Sequence, residues 1–182
     1  MAANRLFIGI PVPVDIARRL QEQLPAGDLL KRSAPENYHI TLQFLGEVHD
    51  VESVIRRFEK LTFKSFGISI NGISGFYKND KLSVLYLSIL NGKSELGELS
   101  QLVKTAFPDY DKDTNPVFTP HITVNRNIKK AELPIAQQLL TFRFAEPISF
   151  GAMQIFLYDS SNFSNSRLYK CIGSVDAAVT DS

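Results

Sequence analysis

His39-Ile40-Thr41-Leu42 and His121-Ile122-Thr123-Val124 repeat one pattern, His, apolar, Thr, apolar, at two distant places in the chain. Side chains alternate across a β-strand. Read as strands, both stretches put a histidine and a hydroxyl on one face and two aliphatic side chains on the other. Such a face is the floor of a polar cleft, and two of them brought together would surround one small anionic group with two imidazoles and two hydroxyls. The chain has three histidines and eight threonines in 182 residues. Two of the three carrying Thr two positions later is therefore roughly a 0.6% accident before other short motifs are allowed for. His49, followed by Asp50-Val51, lacks the pattern.

The rest of the composition narrows the partners. With 44% hydrophobic residues over 182 positions there is material for one compact domain, or two small lobes sharing a core. Lys plus Arg number 20 against 19 for Asp plus Glu. No broad basic field exists to hold a long nucleic acid nonspecifically, and any such contact is expected to be local, at an end or a single nucleotide. The one cysteine, Cys171, excludes an internal disulfide and the common cysteine-based zinc motifs. No basic, apolar and small-residue leader opens the sequence, and the apolar run 82–90 is broken by Ser83 and Ser88. It is also shorter than the roughly 20 residues of a spanning helix, so a soluble cytoplasmic protein with no membrane contact is expected.

Around the two motifs the periodicity reads α+β. Leu6, Ile8 and Ile10 alternate with Arg5, Phe7 and Gly9 as a first strand, and apolar positions 16, 17, 20 and 24 mark a helix. Asp50 is an expected N-cap for a helix reaching about Lys60. Segments 65–76 and 82–90 read as an antiparallel hairpin joined by 77–81, and Leu96, Leu99, Leu102, Val103 and Ala106 mark a third helix before Pro108. A short helix is expected after Pro134, then strands at 142–150, 153–158 and 167–173 around a flexible loop at 160–166. No Pro-rich or Ser-rich linker divides the chain. Residues 1–173 are expected to form one two-lobed domain and 174–182 a frayed tail.

Two further residues are candidates for substrate binding. Phe7 lies off the aliphatic face of the first strand, where an exposed aromatic beside Arg5 could stack on a nucleobase, or could equally be a core residue. Arg126 lies three positions after Thr123. Strict alternation sends it to the apolar face, unless a bulge or the end of the strand re-aims it toward the cleft. The aspartates of 109–116 have no histidine among them and no ligand spacing, so no metal site and no cofactor is expected. Two histidines can divide general acid and general base work near neutral pH. Which would take which part is not set by the symmetric pattern.

The stretches Tyr38-His39-Ile40-Thr41-Leu42-Gln43-Phe44-Leu45-Gly46-Glu47-Val48 and Phe118-Thr119-Pro120-His121-Ile122-Thr123-Val124-Asn125-Arg126 resemble the two signature motifs of the 2H phosphoesterases. Within that superfamily they are similar to the RNA 2′,3′-cyclic phosphodiesterases, once called 2′-5′ RNA ligases, over roughly residues 5–173. The resemblance implies a bilobal, LigT-like α+β fold, with two antiparallel sheets and flanking helices around a central cleft. It implies His39, Thr41, His121 and Thr123 as catalytic residues, with His39 as proton donor and His121 as acceptor, and Arg126 on the phosphate. The expected substrate is an RNA 3′ end, or a nucleotide, bearing a 2′,3′-cyclic phosphate, opened without metal to a 2′-phosphomonoester by a monomer. The alternatives are another 2H activity, such as 2′-5′ phosphodiester cleavage or ligation or opening of a small cyclic nucleotide, and a non-catalytic nucleotide-binding module.

Overall fold

A computed structural model describes residues 3–25, 29–30, 33–110, 117–126, 128–163 and 168–178. Most of the acidic loop 109–116, part of the 160–166 loop and Arg167 lie outside the described residues. In chain order the elements are β1 (Asn4–Pro11), α1 (Val14–Gln23), β2 (His39–Val48), α2 (Val51–Phe58), β3 (Phe66–Lys78) and β4 (Lys81–Asn91). They continue with α3 (Lys93–Ala106), β5 (His121–Asn125), α4 (Leu133–Leu139), β6 (Arg143–Ala152), β7 (Gln154–Asp159) and β8 (Lys170–Asp176).

The α+β expectation holds, with one refinement in how the sheets relate. All strand neighbours are antiparallel, and they form a single eight-stranded sheet in the order β6-β3-β4-β5-β2-β1-β7-β8. The two expected sheets are its two four-stranded halves. They meet where β5 pairs with β2, and that ladder consists of one residue pair, Ile40 with Ile122. The two motif strands are therefore the seam of the molecule.

One face of the sheet carries the aliphatic side chains and the helices. Ile8, Ile10, Ile40, Leu42, Ile122, Val124, Leu85 and Leu87 join Ala17 and Leu20 of α1, Val54 and Phe58 of α2, and Leu96, Leu99 and Val103 of α3 in one continuous core. Each helix is held by the stripe that identified it. α2 starts where expected, since the Ser53 N–H donates to Asp50 Oδ1 at 2.9 Å. The β3–β4 hairpin is tighter than the five-residue link read from sequence. Its turn is the pair Asn79-Asp80, at φ 50° and 59°, a left-handed conformation that these two residue types tolerate best after glycine. The C-terminal boundary also moves. β8 runs on to Asp176, and the Ala177 and Ala178 N–H groups donate to the Met153 and Phe63 carbonyls, so the expected frayed tail is paired through Ala178. None of the described helices is long and apolar enough to cross a membrane.

Candidate active site

The opposite face of the seam collects the polar residues. Ile40 and Ile122 form an antiparallel pair, so one step outward sets His39 across from Thr123 and Thr41 across from His121. Sheet geometry puts such facing Cβ atoms about 5 Å apart and the diagonal histidines about 7–8 Å apart, room for one phosphoryl group between the rings. Gly9 of β1 pairs with Thr41 on this face. A Cβ there would stand 2.8 Å from the Ile40 carbonyl oxygen and 3.5 Å from His39 Cδ2, so the close approach of β1 to the seam requires glycine.

Both imidazoles are held in the same tautomer. His39 Nδ1 lies 2.6 Å from the Asn37 carbonyl oxygen, and His121 Nδ1 lies 2.7 Å from that of Thr119. A carbonyl only accepts, so Nδ1 carries the proton in each ring and Nε2 is the free nitrogen. Burial, reinforced by the Arg126 charge and by the other imidazole, outweighs the Asn37 hydrogen bond and holds His39 down to about 4. Burial, with Arg126 again adding, also lowers His121, against the favourable bond to Thr119.

A bulge follows the threonine on each motif strand. On β5, Thr123 pairs with Tyr86 and Asn125 with Leu85, which leaves Val124 as the extra residue. Val124 and Asn125 both face the core, the latter donating from Nδ2 to the Leu29 carbonyl at 3.0 Å. Alternation is thereby reset, and Arg126 follows on the cleft side, exposed and close enough for its charge to bear on both imidazoles. On β2, Thr41 pairs with Gly9 and Gln43 with Ile8, so Leu42 is the extra residue. Gln43 turns into the core, donating to the Phe107 carbonyl, and Phe44 emerges on the cleft face, 55% exposed. Sequence reasoning missed Phe44, because unbroken alternation places it with Ile40 and Leu42. The available signal was its spacing of three from Thr41, the same as Arg126 from Thr123.

Aromatic rings flank the histidines in near-twofold fashion. Phe76 of β3 and Tyr86 of β4 lie 4.8 and 5.1 Å from the His121 ring. Phe7 of β1 and Tyr158 of β7 lie 4.8 and 5.6 Å from that of His39. The reading of Phe7 as an exposed stacking residue is corrected here. It does leave the aliphatic face, but it is 3% exposed, stacked on Tyr158 at 4.8 Å and met edge-on by Tyr169. No face is left for a base, and the ring instead supports His39.

The two sides differ in access. His39 is 9% exposed, with Tyr169 edge-on at 5.3 Å as a third ring. His121 is half-buried and opens into a cavity of about 160 Å³ that Thr41, Phe44, Phe76 and Phe118 also line. Among the described residues no three His, Cys, Asp or Glu side chains stand together as a metal site.

Known proteins resemble this chain in sequence and in fold. The chain is 29% identical over 163 residues to an RNA 2′,3′-cyclic phosphodiesterase of Archaeoglobus fulgidus, covering 83% of this chain and 86% of the relative. It is 26% identical to the Aquifex aeolicus protein of the same name, covering 85% and 86%. In fold it is similar to Escherichia coli LigT complexed with 3′-AMP, at a TM-score of 0.75 and 20% identity over 97% of this chain and 99% of that one. The family model described as the 2'-5' RNA ligase superfamily matches residues 12–162, a span that takes in both motif strands and the seam between them, and the chain belongs to that superfamily.

Proposed function

We infer that the protein is a hydrolase that opens RNA-terminal 2′,3′-cyclic phosphates to 2′-phosphomonoesters, with no metal in the reaction. The observation that carries this reading is the seam. Two imidazoles of one tautomer present free Nε2 atoms on the same face as two threonine hydroxyls and one guanidinium. The relatives named for that activity support the substrate class. All five side chains come from one chain, so a monomer is sufficient for the activity.

Access favours a division of labour. Water reaches the cavity beside His121, so His121 Nε2 takes the proton as water oxygen bonds to phosphorus. His39, dry behind its rings and in its imidazolium form when the phosphate anion is bound, gives its Nε2 proton to O3′ as the P–O3′ bond breaks in line. The hydroxyls of Thr41 and Thr123 donate to the non-bridging oxygens as charge builds, and Arg126 adds a fixed, forked positive charge. An oligonucleotide ending in a 2′,3′-cyclic phosphate, digested in the presence of a chelator, is expected to yield a 2′-phosphate end. A product consisting only of 3′-phosphate would refute the regiochemistry, and no turnover at all would refute the activity.

Phe44 is the surface for the terminal base, being the exposed aromatic on the cleft side of the donor strand. Stacking contributes about 1–3 kcal/mol per base, so Phe44→Ala is expected to lower kcat/KM by about 5- to 150-fold, mainly through KM, with Phe44→Trp near wild type. An unchanged KM in Phe44→Ala would remove the residue from the site.

The pH dependence follows from two lowered imidazoles. Turnover needs His39 protonated and His121 neutral. Because His39 is the ring held down furthest, this is the less populated of the two singly protonated forms, but its population still peaks between the two free-enzyme values. His39 lies at about 4 and His121 below its ordinary 6.5. The maximum of kcat/KM is thus expected on the acid side of 6.5, falling about tenfold per pH unit above it. A plateau reaching past pH 7.5 would contradict the geometry. The kcat optimum lies higher, because the bound phosphate anion raises both rings.

A further inference from the structure

The four motif residues are related by a near-twofold axis through the Ile40–Ile122 pair, yet the reaction is polar, with one side donating and the other accepting. Something outside the motifs must break the symmetry. The paired aromatic supports do not, since Phe7 and Tyr158 on one side match Tyr86 and Phe76 on the other. What is unmatched among the described residues is the third ring over His39, Tyr169, and its anchor, Asn37. Its carbonyl accepts the His39 Nδ1 proton at 2.6 Å, and its side-chain Oδ1 accepts the Tyr169 N–H at 3.1 Å. Asn37 is only 9% exposed. Thr119, the corresponding partner of His121, is exposed.

One residue therefore ties the orientation of the His39 ring to the chain just before β8, 132 residues away in sequence. That anchor sets Tyr169 edge-on against both His39 and Phe7, at 5.3 and 5.0 Å. Phe163 stacks on the outer side of Tyr169 at 4.5 Å and 20°. Among the described residues nothing of the kind closes over His121, which faces the open cavity.

We propose that Asn37 is a positioning residue which, by anchoring Tyr169 over His39, makes that histidine the dry, proton-donating side of an otherwise symmetric pair. The proposal rests on the functional reading above. Its physical content is solvent exclusion: Tyr169 keeps water from the His39 ring, so its Nε2 proton passes to the departing ribose oxygen, while water enters from the cavity beside His121. The backbone N–H of Tyr169 survives any change of its side chain, so the anchor and the wall can be removed separately.

The test follows both imidazoles by NMR titration in the free protein, without substrate. The groups facing His39 are His121 of β5, Arg126 just after that strand, Tyr158 from β7, and Tyr169; the alanine variants alter none of the charged ones. Asn37→Ala and Tyr169→Ala should each let water to the ring and move the His39 midpoint up from about 4 by about one pH unit or more, leaving His121 in place. On a cyclic-phosphate substrate both variants should lose roughly tenfold in kcat, a part of the ~10²–10⁴ a general acid supplies, with little change in KM. Asn37→Asp keeps the acceptor for Tyr169 and should recover most of the kcat loss; because its added carboxylate itself raises the His39 midpoint, the titration is read on the two alanine variants. An unmoved His39 midpoint in Tyr169→Ala, or equal movement of His121, would overturn the proposal. Because the titration needs no turnover, its failure is distinct from failure of the assigned activity.

Discussion

Alanine in place of either histidine is expected to lower kcat by at least ~10²-fold, the lower end of what a positioned general acid or base contributes. The two variants should differ in how their residual rate depends on pH. With His121 removed, the remaining rate needs only a protonated His39 and should decline as pH rises. With His39 removed, it needs only a neutral His121 and should climb to a plateau. Opposite slopes assign donor and acceptor directly, which the near-twofold arrangement of the motifs cannot do. Single-turnover hydrolysis of an oligonucleotide cyclic phosphate measures both. A His121→Ala enzyme that keeps close to full rate would remove the proposed base, and identical slopes would remove the division of labour. Neither ring is held in a buried ion pair, and each is oriented by a hydrogen bond to a neighbouring backbone carbonyl, so the variants should remain folded.

Arg126→Ala is the second large effect. A preorganised donor aimed at developing charge is worth ~10²–10³ in kcat, and Arg126 stands where its charge bears on both imidazoles. Removing it should also relieve one of the causes that lower the two rings, so the kcat/KM profile should move toward higher pH as the rate falls. Arg126→Lys keeps the charge without the planar fork and should recover the pH position more fully than the rate. A profile that stays in place while the rate falls would mean that the guanidinium acts away from the histidines.

These effects reach different depths into the sequence. The histidines and threonines are legible because alternation along a strand is local: a His-x-Thr run has one possible facing as long as the ladder is unbroken. The helices are legible for the same reason, each carrying its stripe and, at Asp50, its cap. Arg126 was ambiguous and Phe44 was missed for a single cause. Each follows a bulge, at Val124 and Leu42, and a bulge is a property of the pairing between two strands.

The amino-acid order thus settled which side chains the motif strands turn to the polar face, the α+β class and the spacing of the two motifs, because these depend on residue type and short-range periodicity. Folding settled the rest. Phe7 supports an imidazole instead of stacking on a base, since Tyr158 and Tyr169 arrive from the far end of the chain to cover it. The two half-sheets became one at a seam a single residue pair long. The two like motifs became unlike sides of one site, because burial and solvent access are set by what packs against a residue from elsewhere, which no local pattern encodes.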